Sequence, residues 1–215
     1  MGPTASILLR HSLTEEQLTG LEQWLHSITS SLEGQRGDWG PIWIKDGPLI
    51  GLLNDCHEAC AFGLAIEKTK TEQDFLKKDG SIDKDIKAEL REEREQLIQH
   101  LGFVPEQRIN VDAGCNRPLD HRILGQLVLL LAERYDGIID LGGAFYPPTK
   151  PGQVAVSIED ETVEAVEQYV QELSLPGRVF HMYYITARNT IWIYHLVDPD
   201  FLRAWLQHPH FHMIK

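Results

Sequence analysis

The sequence predicts an α+β protein in which helices cover one face of a mainly antiparallel sheet. Two observations carry that expectation. Short β-branched and aromatic runs recur along the chain, at Ala5 to Leu9, Ala61 to Lys68, Gln107 to Asp112, Val179 to Thr186 and Thr190 to Val197, and amphipathic stretches with helix start and stop signals stand between them. The composition adds a third, since 42% hydrophobic residues in a chain of 215 suffice for one sizeable core.

Ala5 to Leu9 is the first buried strand. The helix after it spans about 14 to 33: Thr14 and Gln17 form a capping box, Leu13 and Leu18 stand where a hydrophobic staple would, and Leu18, Leu21, Leu25, Ile28 and Leu32 continue one apolar stripe up to Gly34. Gly34 to Gly51 is rich in Gly and Pro, so a shaped loop is expected there, extended only at Ile42 to Lys45. The strand Ala61 to Lys68 leads to a highly charged helix over about 83 to 101, where Ile82, Ile86, Leu90, Leu97 and Leu101 can face the core.

In the second half, the strand Gln107 to Asp112 precedes an apolar helix opened by Asn116 to Asp120 and running to Arg134. Asp136 to Leu141 is a strand ending in a Gly142–Gly143 turn, and Pro147, Pro148 and Pro151 impose a loop. Gln153 to Ile158 is extended, and Asp160 caps a helix with Val163, Val166, Val170 and Leu173 on one face. Ala187, Arg188 and Asn189 join two strands as a hairpin, and Asp198–Pro199 starts a short last helix that Pro209 ends. The first half resembles a split β-α-β (ferredoxin-like) arrangement. Without a flexible linker, the expectation is a single domain over 1–215, or two intimately packed halves, 1–112 and 113–215.

Acidic residues outnumber basic ones by 32 to 20, a formal net charge of −12 that repels phosphate backbones and disfavours nucleic-acid binding. Three cysteines, Cys56, Cys60 and Cys115, make no disulfide framework and suit a reducing, cytoplasmic location; no membrane span is expected.

Candidate chemistry is sparse. Cys56 and Cys60 flank His57 in a C-x3-C pair of zinc-like spacing, but the remaining ligands would have to be Cys115 and His121, which stand loosely at a helix start. Small buried thiols are the simpler reading, and no metal or other cofactor is expected. A thiol nucleophile at Cys56 or Cys115 would need a neighbouring histidine, and a small enzyme built on Cys56, His57, Cys115 and His121 is the alternative function. His208, His210 and His212 alternate, so an extended tail would turn three imidazoles to one side. The nucleophile elbow and the nucleotide and dinucleotide loops are absent, so no catalytic residue is assigned. Glu159, Asp160, Glu161 and Glu164 form an acidic helix start that complements the helix dipole or meets a basic partner, with Trp39 and Trp43 as anchors or as core.

Three stretches carry a resemblance: GPTASILL at Gly2 to Leu9, RYDGIIDLGGAFY at Arg134 to Tyr146, and DPDFLRAWLQHPHFHMIK at Asp198 to Lys215. They resemble a bacterial domain-of-unknown-function family whose members look like immunity proteins of polymorphic toxin systems. The resemblance covers nearly the whole chain and brings no active site with it. It implies a protein that binds a cognate toxin and occludes its active site or substrate groove, and an acidic surface suits a basic partner. From the poorly matched ligand set, the purified protein should contain no stoichiometric zinc. Elemental analysis checks this, and one zinc per chain lost in Cys56→Ser/Cys60→Ser would contradict it.

Overall fold

A computed structural model describes residues 2–45, 47, 50–52, 60–145, 163–185 and 191–213. In chain order the elements are β1 (Thr4–Leu9), α1 (Glu15–Ile28), β2 (Thr29–Gln35), β3 (Asp38–Ile44), β4 (Phe62–Lys68), α2 (Lys84–Leu101), β5 (Gln107–Ala113), α3 (Pro118–Tyr135), β6 (Ile138–Asp140), α4 (Val163–Leu173), β7 (Val179–Ile185), β8 (Ile191–Val197) and α5 (Pro199–Trp205). The strands form one eight-stranded sheet in the order β2-β3-β4-β5-β1-β6-β8-β7, with every adjacent pair antiparallel. No helix among the described residues is long and apolar enough to cross a membrane.

The alternation of β1 places its side chains on two different layers. Ala5, Ile7 and Leu9 enter the main core, where they meet Leu21, Leu25 and Ile28 of α1, Ile123, Leu124, Val128 and Leu131 of α3, and Phe201, Leu202 and Trp205 of α5. Leu8 points the other way, into a smaller cluster with Leu97 of α2, Met182 and Leu196. The α+β class and antiparallel sheet are therefore as expected, while the helices divide. Four lie on the main-core face, α4 among them through Val166 on Ile193 and Val170 in the core, and α2 covers the opposite face. Hydrophobic residues on both faces of β1, β7 and β8 require that second cover. The β1-α1-β2 crossover joins strands running the same way with β3, β4 and β5 between them, a wider split than the ferredoxin-like pattern.

The first helix differs from expectation at its end. Its start is as predicted, with the Thr14 hydroxyl and Gln17 side chain forming the capping box, but α1 stops at Ile28 and β2 begins at Thr29. Thr29, Ser30 and Ser31 have weak helix propensity, and the Thr29 hydroxyl and N–H both bond to Leu25 C=O, closing the helix there. Leu32 continues the stripe by coincidence of spacing and pairs instead with Ile42 across the β2–β3 hairpin. A two-residue turn, Arg36–Gly37, closes this hairpin, and Gly37 supplies the positive φ of 88° that the turn needs. The predicted loop from Gly34 is thus largely strand. The predicted strand at Gln153 to Ile158, the Pro147–Pro151 loop, the Asp160 cap and the Ala187–Asn189 link lie outside the described residues.

Strand β7 is an edge, and α2 guards it with one side chain. Gln96 Nε2 donates to Tyr183 C=O at 2.7 Å, and Gln96 Oε1 accepts the Tyr183 N–H at 2.8 Å, which imitates a neighbouring strand. Gln96→Ala should lower stability by about 1 kcal/mol and increase self-association. Denaturant titration and sedimentation velocity test this, and parent-like behaviour in both would show that the amide does not protect the edge.

Candidate functional site

Because α2 shields only part of its sheet face, a groove of about 510 Å³ opens between its N-terminal half and the β7–β8 hairpin. Ile86, Glu89, Leu90, Glu92 and Glu93 form the helical wall, with Phe75 beside it; Tyr184, Trp192 and Tyr194 form the sheet wall; Asp140, Gly142 and Gly143 close the inner end. Strand alternation puts Tyr184, Trp192 and Tyr194 on this face, with the Tyr184 ring centroid 5.7 Å from that of Trp192 and 6.0 Å from that of Tyr194. Tyr183 turns to the other face, where its hydroxyl donates to Glu167. The free end of the hairpin exposes Tyr184 (37%), Ile185 (48%) and Ile191 (55%).

Asp140 ends β6 in cross-strand register with Ser6, which is itself opposite Asn110, so a polar row crosses this face of the sheet. Ser6 Oγ donates to Asn110 Oδ1 at 2.7 Å, and Gly142 N–H donates to Asp140 Oδ1 at 2.8 Å. Burial pushes the Asp140 carboxyl up to about 6; the Gly142 hydrogen bond and the Arg108 charge oppose the rise, and Glu93 adds to it. Burial also raises the Tyr194 phenol far above its ordinary range, assisted by Glu93 and Asp140. Arg108 Nε is buried with no hydrogen-bond partner. The Gly142 carbonyl faces the opposite layer and accepts the His195 N–H at 2.9 Å, with His195 Nδ1 at 3.3 Å. That contact favours the Nδ1–H tautomer and leaves Nε2 buried without a partner. Burial, with His181 adjacent, lowers His195 to about 3, so its imidazole is a neutral packing group against Phe145.

The residues singled out from sequence lie elsewhere. Trp39 is 3% exposed and belongs to the main core, whereas Trp43 is 43% exposed. A register irregularity between Trp39 and Ile42 turns Ile42 and Ile44 inward and leaves Trp43 outside. Both tryptophans are on β3, across the sheet from the groove, and of the two Trp43 is the exposed one. Glu164 stands in the first turn of α4; Glu159, Asp160 and Glu161 lie outside the described residues.

Cys56 and His57 also lie outside the described residues, but Cys60 and Cys115 come together with Asp120, their ligand atoms within 4.8 Å of one another. The cluster is closed by hydrogen bonds. Asp120 is fully buried and accepts from Cys60 N–H, from Arg117 N–H, and from Arg117 Nε and Nη2 at 2.8 and 3.1 Å, while Cys115 N–H donates to Cys60 Sγ at 3.1 Å. Burial and Asp120 push the Cys60 thiol up to about 11, so it is protonated and a poor nucleophile at neutral pH. His121 does not join it: Nδ1 accepts the Met213 N–H at 2.9 Å and Nε2 lies 2.9 Å from Asn116 Oδ1. The C-terminal histidines are not an extended row. His208 stacks on Trp205 with ring centroids 5.0 Å apart, and Phe211 N–H returns to His208 C=O in a turn.

Sequence reasoning missed Asp140, Glu93 and the aromatic wall as a site. The visible signals were an aspartate ending a buried strand just before two glycines and alternate aromatics in the terminal hairpin. Their meeting with the outer face of α2 was not visible.

The chain belongs to a family of unknown function, DUF6368, whose model matches residues 1–215. No curated protein and no solved structure matches it.

Asp140 and His195 act on stability with opposite signs. The folded Asp140 value lies above the ordinary carboxyl value, so its contribution is fully present at low pH and is lost as pH rises through about 6. The folded His195 value lies below the ordinary imidazole value, so stability is lost as pH falls below about 6.5, where only the unfolded imidazole takes the proton. Asp140→Asn should therefore stabilise the protein by about 1–2 kcal/mol at pH 8, after allowance for partial exposure, and by nothing at pH 4. Denaturant melts across this range decide the matter; a variant destabilised at pH 8 would contradict the strained carboxylate.

Proposed function

We propose that this member of DUF6368 is a non-enzymatic protein-binding module, a cytoplasmic immunity protein that neutralises a cognate bacterial toxin by occluding its active site or substrate groove. The observation that supports it best is the groove between α2 and β7–β8. Four carboxylates, Glu89, Glu92, Glu93 and Asp140, line it together with Tyr184, Trp192 and Tyr194, and no basic side chain is among the described lining residues. Aromatic anchors beside an acidic wall are features of a surface that holds a basic partner, and the chain's net charge of −12 adds long-range attraction. The resemblance of Gly2 to Leu9, Arg134 to Tyr146 and Asp198 to Lys215 to a domain-of-unknown-function family whose members look like immunity proteins points in the same direction. In place of the sequence's Cys56, His57, Cys115 and His121 alternative, the groove itself favours a second reading. A carboxyl held near 6 beside Tyr194 has the properties of a general acid–base, which would make the protein a small enzyme.

Titration of the toxin's activity separates these readings. Occlusion predicts inhibition saturating at one protein per toxin and no repair when the protein is added after the toxin has modified its target and been removed. Glu89→Gln/Glu92→Gln/Glu93→Gln should slow association by roughly tenfold at low salt and flatten its salt dependence, whereas Tyr184→Ala should mainly speed dissociation. Repair at a small fraction of the toxin concentration, abolished in Asp140→Asn, would replace the binding model with the enzymatic one.

A further inference from the structure

The groove also carries information about what enters it. Its sheet wall is aromatic and its helical wall acidic, a combination that selects an organic cation over a neutral or anionic group. Among the described residues, the one hydrogen bond to the Asp140 carboxylate uses Oδ1. The charged groups acting on Asp140 are Glu93 from α2 and Arg108 from β5, with the Tyr194 phenol of β8 beside them; Glu89 and Glu92 add further negative charge along α2. Arg108 is not among the described residues lining the groove, whereas four carboxylates are, so the lining is complementary to positive charge. A planar guanidinium can lie on an aromatic face while its N–H fork reaches a carboxylate, whereas an ammonium is compact and strongly hydrated.

We propose that the inner end of the groove is a subsite for an arginine side chain of the protein partner, its guanidinium stacked on the aromatic wall of Tyr184, Trp192 and Tyr194 and paired with Asp140 and Glu93. This rests on the docking role of the groove and assigns the partner's anchor. Because Asp140 titrates near pH 6, the subsite is pH-dependent: only about a tenth of the carboxyl is ionised at pH 5, against nearly all of it at pH 8.

The test uses the whole protein and blocked tripeptides Gly-Arg-Gly and Gly-Lys-Gly, with tetramethylammonium as a third probe. Binding is read from the indole N–H resonance of Trp192, assigned by Trp192→Phe. The arginine peptide should shift this resonance and bind about tenfold more weakly at pH 5 than at pH 8. Asp140→Asn, with an unchanged fold by circular dichroism, should weaken binding at pH 8 by about tenfold and remove the pH dependence. No shift at millimolar peptide, equal or tighter binding of lysine or tetramethylammonium, or an unchanged pH profile in Asp140→Asn would overturn the proposal. If a purified partner is lost on Tyr184→Ala while the arginine peptide fails to bind, the subsite falls and the docking surface stands. Should the peptide bind while Tyr184→Ala leaves partner affinity unchanged, the docking role falls, and the arginine anchor with it.

Discussion

Strand β1 is hydrogen-bonded along both sides, to β5 over all of Thr4–Leu9 and to β6 over Ser6–Leu8, and the rest of the architecture depends on that position. It connects the strands of the first half to those of the second. Its alternation also commits both faces to burial: Ile7 and Leu9 require the α1, α3 and α5 layer, and Leu8 requires α2. The return from α3 into β6 passes so close that a Cβ on Gly137 would lie 2.3 Å from Ile7 Cγ2. A side chain there would push apart the strand pair on which both layers rest.

Among the described residues α2 is the one α-helix on the second face, too little to cover an eight-stranded sheet, and the groove lies where its cover stops. Leu97 marks where α2 is seated, and toward its N-terminus the helix presents acids to the aromatic hairpin. Asp140 sits at the boundary between covered and open sheet, desolvated enough to raise its pKa yet open to the groove. The Gly142 peptide unit couples the two layers, its N–H bound to Asp140 on the groove side and its C=O accepting from His195 on the core side. The preformed hydrogen bond from Gly142 N–H holds the carboxylate in place, so a partner that neutralises its charge gains from relief of an existing strain.

The cysteine cluster shows the opposite arrangement. Asp120 looks like a ligand by proximity, but Arg117 and the Cys60 amide already satisfy both of its oxygens. A buried carboxylate with all its acceptors used ties the start of α3 to the segment entering β4. Chemical potential depends on what remains unsatisfied, and that distinguishes Asp140 from Asp120.

Much of the fold was legible because its signals are local. The Thr14–Gln17 capping box, the Asp198–Pro199 start of α5, the extent of α2 and the paired β-branched runs of β7 and β8 each depend on residues a few positions apart. Leu32 misled because a helical period of three to four and a strand partner produce the same spacing, and only the β2–β3 pairing resolves it. The opposite burial of Trp39 and Trp43 was not legible, because the irregularity between Trp39 and Ile42 that separates them leaves no mark in the residue pattern. The sequence by itself determined the α+β class, most element boundaries and the acidic character, since propensity, capping and net charge are properties of neighbouring residues or of their sum. Tertiary structure alone decided that α2 crosses to the second face and that Glu93, Asp140 and Tyr194 share one desolvated groove, because burial and charge coupling arise only when segments distant in sequence exclude water together.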